Sequence, residues 1–377
     1  MTTMIARREF TKTLGGAAAL VTLSPVLGWA SDEPKVSADA AKIYRDSFIL
    51  DGNALAGIGG LLGRSNQDEI AKVIRESGVT ALKSALGGAL GNFEAAVEDI
   101  AYAQQLMEKR PDLFLNVRTP ADFDRARKEQ KLGVIYSFES PNMLEDKIDR
   151  IEMFRGLGVR VMQLTYNRRT PFGVGCLDGE TDGLTELGHK AIAKMNEIGV
   201  ALDLSHSNTK TTADGIAASA KPPLITHAGC RAVYMHPRNK EDREMKALAD
   251  KGGVIGIYML PYLTESPKQP TLNDYLQHLE HALKICGEDH VGVGSDVPFF
   301  PVDDSDLEEM KKATEKRKAD GIAAPGEDRP TYIPDLNTPR KMELIADGLL
   351  KRGHKSGVVE KIVGANFKRV FGEIWTA

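Results

Sequence analysis

The sequence predicts an α/β protein, a (β/α)8 TIM barrel formed as one domain behind an N-terminal signal segment. Three observations carry this expectation. Short runs rich in Val, Ile and Leu alternate with stretches of helical periodicity, and that alternation builds a parallel sheet buried on both faces. There are eight such units, the number that closes a barrel. Several of the runs are followed at once by His, Asp or Glu, and barrels of this type carry their active sites at the C-terminal ends of the strands. A doubly wound open sheet is the competing architecture. It is disfavoured because no glycine-rich dinucleotide turn follows the first run.

Taken in chain order, residues 1–30 differ from the rest. Ala6-Arg7-Arg8-Glu9-Phe10-Thr11-Lys12 is basic, an apolar stretch follows, and Gly28-Trp29-Ala30 places small residues where a signal peptidase reads. The stretch is too short and too interrupted by Gly and Pro to span a membrane. The arginine pair points to the twin-arginine export machinery, with an ordinary secretory signal as the alternative. The barrel domain is expected over 31–377. Its strands are expected at 47–51, 79–84, 133–138, 159–165, 199–204, 222–226, 253–258 and 291–295, with a weaker run at 113–117 as a short excursion. Helical stretches include 67–76, 93–108, 185–197 and 271–286. Two connections are too long to be plain: 166–183, rich in Gly, and 298–335, a candidate lid carrying the charge run DLEEMKKATEKRKADG. The charge run itself reads as a solvated helix face.

Composition narrows the function classes. A net charge of −4 gives no electrostatic case for nucleic acid or an anionic membrane. The three cysteines, Cys176, Cys230 and Cys286, have no metal-type spacing and read as buried or free thiols, with one disulfide open in an oxidising compartment.

Glu139 follows GVIYSF, His206 follows ALDLS, His227 follows PPLIT and Asp296 follows VGVGS. On a barrel these four side chains converge. Two histidines and a carboxylate around an open position form the ligand set of a catalytic zinc, and a further carboxylate can serve as general acid or base. Any one of them alone is more simply a loop residue or a helix cap; four on four strand ends are harder to dismiss. His189, His278 and His281 fall on helical stretches, His354 in a charged turn, and His236 in a loop near Arg238.

The ordered series GVRVMQLTYN, DGLTELG, MNEIGVALDLSH, THAGCRAV, HPRN, KGGVIGI, GVGSD and IVGANFKRV resembles the renal (membrane) dipeptidase family of amidohydrolase-type metal barrels, from about residue 45 onward. The resemblance implies a two-metal zinc site that hydrolyses dipeptides. It implies that Glu139 bridges the metals, His206 and His227 ligate one of them, Arg238 holds the substrate carboxylate and Asp296 is the acid/base. The first strand departs from the family, whose D-G-H-N-D tip supplies a His and an Asp to the other metal. Here the tip reads Asp51-Gly52-Asn53-Ala54-Leu55; leucine cannot ligate, and an amide is a poor zinc ligand beside imidazole. Tyr166 replaces a substrate-contacting histidine of the family, and Val-Pro-Phe-Phe follows Asp296 in place of the family's aromatic-Asp-Gly.

The expectation is therefore one Zn2+ per chain on Glu139, His206 and His227, with Asn53, Tyr166 and Arg238 facing substrate. The expected reaction is hydrolysis of dipeptides or a related small amide by metal-activated water, in an exported, periplasmic protein without a transmembrane anchor and compatible with homo-oligomers. Two alternatives stay open: a tailoring enzyme acting on an exported peptide or metabolite, and a catalytically impaired homologue that binds small peptides.

Overall fold

The computed structural model describes residues 35–55, 67–265 and 267–375. The expected signal segment lies outside them. Eight parallel strands follow one another around the sheet: β1 (Leu50–Asp51), β2 (Ala81–Ala85), β4 (Leu132–Phe138), β5 (Val159–Gln163), β6 (Ala201–Asp203), β7 (Leu224–Ala228), β8 (Val254–Ile257) and β9 (Val291–Val293). β3 (Phe114–Asn116) pairs with the start of β4 and stays off this path, as the weak ninth run suggested. The ends of the sheet meet: Gly52 N–H donates to Val293 O at 2.8 Å and Asp296 N–H to Asn53 O at 2.7 Å. The barrel is nearly closed, which excludes the open sheet.

Strand alternation divides the barrel interior into two tiers. In a strand every second side chain shares a face. Ala81, Ile135, Val161, Ala201 and Leu224 form an apolar floor. Two residues further along each strand stand Lys83, Ser137, Gln163, Asp203 and Thr226, all buried and polar. The floor is sealed by the helix Asn366–Ile374, whose apolar residues Phe367, Val370, Phe371 and Ile374 recur at helical spacing and join the floor cluster. Asn366 anchors it by donating from Nδ2 to Glu288 O and Val291 O, both at 2.8 Å. Phe367 presses so close that a Cβ on Gly52 or Gly292 would lie 2.5 or 2.6 Å from its ring. Truncating such a residue costs about 3–5 kcal/mol.

The apolar run expected at 222–226 forms its strand two residues later. Pro222 and Pro223 have no N–H for the ladder, so the strand begins at Leu224 and His227 lies on it instead of beyond it. The three cysteines are buried free thiols. Within 298–335 the charge run forms the helix Asp304–Ala319, none of whose residues is buried. Among the described residues no helix is long and apolar enough to cross a membrane.

Candidate metal centre

β4 continues its interior phase from Ile135 and Ser137 to Glu139, at the rim. His206 stands three residues past β6, and His227 on β7. One donor atom from each of these three lies within 4.8 Å of the others; among the described residues no other such group of His, Cys, Asp and Glu is found.

The hydrogen bonds behind the histidines fix which ring nitrogen faces the site. Asn167 donates from Nδ2 to Ile322 O at 2.8 Å, so its Oδ1 faces His206 Nδ1 at 2.7 Å and must accept from it. His206 therefore presents the lone pair of Nε2. For His227 the determinant is Asp203. Its carboxylate accepts from the N–H groups of Ser205 and Thr226 at 3.1 Å each, from Ser205 Oγ at 2.5 Å and from Thr226 Oγ1 at 2.6 Å. Thr226 has spent its proton on Asp203, so its Oγ1 accepts from His227 Nδ1 at 2.9 Å. His227 too presents an Nε2 lone pair. Lys83, fully buried, neighbours Asp203 at 3.8 Å and Ser137 Oγ at 3.3 Å.

Burial pushes both imidazoles well below their ordinary pKa. For His206 the charge of Arg238 and the proximity of His227 add to this, and for His227 the charges of Arg238, Lys83 and Lys240. The two Nε2 atoms are 3.0 Å apart. Two neutral imidazoles with lone pairs facing across that gap repel unless a positive group stands against them. In this structure Arg238 does so, with Nη2 3.1 Å from His206 Nε2 and Nη1 donating to Ser205 O at 2.5 Å. Two imidazole nitrogens, one carboxylate and an acceptor orienting each ring from behind also fit a divalent metal ion.

The first-strand side of the rim fits no second ion. Asn53 is fully buried, and its Nδ2 donates to Glu139 Oε1 at 2.9 Å and to Asp296 Oδ1 at 2.8 Å. Turning the amide over would set its oxygen against two carboxylates. An NH2 group thus occupies the position between them, where it offers hydrogens and no lone pair. Asp51 is consumed by Ser295 N–H, Ser295 Oγ and Asn53 N–H at 2.8, 2.5 and 3.1 Å. Leu55 is exposed.

Asp296 closes the ring of functional groups. Its backbone is left-handed, φ 55°, a conformation Asp tolerates better than most residues, and its N–H is fixed on Asn53 O. Burial, then the charge of Glu139, raises its carboxyl well above the usual range, with Arg238 and Lys83 partly opposing. Tyr166 lies flat on the His206 ring, centroids 4.1 Å apart at 22°. All seven site residues expected from sequence thus gather at one end of the barrel.

Sequence reasoning missed Asn167, the Asp203–Thr226 relay, Lys83 and Arg317, which reaches Tyr166 from the helix at 304–319. A lysine inside an apolar strand, VTALKS, was a signal for the polar tier. Nothing in the spacing of Arg317 pointed toward the rim.

Comparison with known proteins is consistent with this geometry. Residues 65–320 match membrane dipeptidase (peptidase family M19). The dipeptidase tcpJ of Claviceps purpurea is 26% identical over 284 residues, covering 74% of this chain and 59% of that protein. An uncharacterized dipeptidase of Schizosaccharomyces pombe is 28% identical over 192 residues, covering 49% and 46%. The chain thus spans about half the length of these two relatives. Among solved structures, an amidohydrolase from Pseudomonas aeruginosa superposes with a TM-score of 0.77 at 31% identity, covering 90% of this chain and 99% of that one.

Proposed function

The chain belongs to the membrane dipeptidase family, and on that premise we propose that it is a metal-dependent hydrolase of dipeptides or a closely related small amide, using one Zn2+. The observation that carries this reading is the convergence of two Nε2 lone pairs and the Glu139 carboxylate, with Asp296 and Arg238 beside them. Glu139, His206 and His227 would hold a divalent ion, which when bound would supply Lewis acidity and lower the pKa of water.

The chain's own residues divide the remaining work. Asp296, buried and raised in pKa, accepts the proton of the attacking water and returns it to the leaving amine. Arg238 turns its planar fork to the terminal carboxylate of the substrate, a contact that Lys cannot reproduce. Asn53 holds Glu139 and Asp296 apart and in register, and Tyr166 covers one face of His206. The Arg7-Arg8 pair and Gly28-Trp29-Ala30 support export to the periplasm by the twin-arginine route.

The test is turnover of zinc-loaded protein against a panel of L,L and L,D dipeptides and of N-blocked and C-amidated analogues. We expect cleavage of free dipeptides, lost when the terminal carboxylate is amidated. The amide at Asn53 and the tyrosine at 166 favour a second reading, a tailoring hydrolase acting on a larger exported peptide or metabolite. Cleavage of C-amidated substrates in preference to free dipeptides would select that reading. No cleavage of any member by protein with bound zinc would reject the dipeptidase.

A further inference from the structure

The helix at 304–319 has no fully buried residue, and only one face, with Leu307, Met310, Ala313 and Arg317, is half-buried. Beyond the helix the segment buries Ile322 and Ala324, and its polar contacts land beside the candidate metal centre. Ile322 O accepts from Asn167 Nδ2 at 2.8 Å, and Gly321 O from Arg168 Nε at 2.7 Å. Pro325 O accepts from His236 Nε2 at 2.9 Å, and the Nδ1 of that ring accepts from Arg238 N–H at 3.2 Å. Arg317 completes the set. Its Nη1 donates to Tyr166 Oη at 2.8 Å, while Nε and Nη2 grip the two oxygens of the buried Glu327 at 2.8 and 2.7 Å.

Two of these anchor residues are also what His206 rests on. Asn167 holds its Nδ1 and Tyr166 covers its ring face. Asn167 is itself fully committed, one end of its amide on the imidazole and the other on the inserted segment. Lifting residues 317–327 would remove a contact from each of these two supports of His206 at once.

We propose that the inserted segment is part of the metal centre's support, with Arg317 (through Tyr166) and Asn167 acting as positioning residues that couple closure of the segment to the metal affinity of His206. The proposal rests on the metal-centre reading above. Coupling of this kind is reciprocal: closing the segment tightens the metal, and metal holds the segment closed.

Both directions can be measured on the full chain. In the first, Co2+ binding is followed by chelator competition and by the visible absorption band of the bound ion. Arg317→Met and Asn167→Ala should each raise the Co2+ Kd by about tenfold or more and shift that band, as loss of a ligand's supporting contact does elsewhere. Tyr166→Phe, which keeps the ring stack and loses the Arg317 contact, should give the same change on a smaller scale. Lys312→Met, on the same helix but away from these contacts, should change nothing. In the second, trypsin cleavage within 304–319 should slow several-fold when wild-type protein is saturated with Zn2+, and this protection should vanish in Arg317→Met. Wild-type Co2+ affinity and absorption in both Arg317→Met and Tyr166→Phe would overturn the coupling, as would Zn2+-independent cleavage of a wild-type chain that binds Zn2+. A wild-type chain that binds neither ion would overturn the metal centre and the coupling together.

Discussion

The rim of the barrel has two unlike halves. On the side of β6 and β7, His206 and His227 are oriented from behind by Asn167 and by the Asp203–Thr226 relay, so both show a lone pair to the same point. On the side of β1 and β9, Asn53 shows hydrogens to Glu139 and Asp296. One half turns lone pairs toward the site; the other turns the hydrogens of an amide toward it. The two halves differ therefore in the direction in which supporting hydrogen bonds turn their polar side chains, and not in whether they carry them.

The most severe way to break this contrast is to remove Glu139, the residue shared by both halves. Glu139→Ala should leave the protein folded and reduce bound zinc, measured by elemental analysis, from about one per chain to near zero, because two imidazoles alone are an incomplete catalytic set. Full zinc content in that variant would show that the metal sits elsewhere.

Acid should attack the histidine side. Burial pushes His236, which supports Arg238, down to about 4 from an ordinary 6.5. Between those values the unfolded chain binds the proton and the folded chain does not, so stability falls as pH drops. The stabilisation is fully present above 6.5 and lost on approaching 4, and amounts to about 3 kcal/mol. Urea midpoints taken across that range should decline, and His236→Asn should flatten the decline; parallel curves for the two proteins would contradict it.

Asp296→Asn probes the carboxylate side. It should lower kcat by about a hundredfold with zinc content unchanged, whereas near-normal turnover would reduce Asp296 to a structural role. Arg238→Lys should raise KM by about tenfold with a smaller change in kcat, since one charged contact of two is lost. The mildest test attempts to make the halves alike. Asn53→His with Leu55→Asp should raise zinc content from about one toward two, and an unchanged content would mean that the strand tip cannot present those side chains.

Legibility from sequence followed the same division. Strand periodicity located Glu139, His206, His227 and Asp296, because in a parallel barrel the residue after an apolar run has one place to go. Even there proline moved a boundary, and His227 proved to lie on its strand. The absence of metal ligands at Asn53 and Leu55 was also readable, being a matter of side-chain chemistry. That Asn53 would tie Glu139 to Asp296 was not, since the direction of an amide depends on neighbours from β4 and β9 that are far away in sequence. Asn167, Arg317 and Glu327 were hidden for a different reason. They belong to long connections whose paths no periodicity encodes, and their contacts span more than 150 positions between Tyr166 and Arg317.

The helix that seals the barrel floor also sets the order of biogenesis. Phe367 and its neighbours on 366–374 are synthesised after the nine strands of the described residues. Until they emerge, the floor cluster of Leu50, Ala81, Ile135, Val161, Leu224 and Val254 lacks the apolar residues of its cap, Phe367, Val370, Phe371 and Ile374. A nascent chain in that condition exposes a ring of unburied hydrocarbon and is open to aggregation or chaperone capture. Completion of this barrel is therefore a post-strand event, and a ribosome stalled before Phe367 would display the strands without the helix that caps their floor.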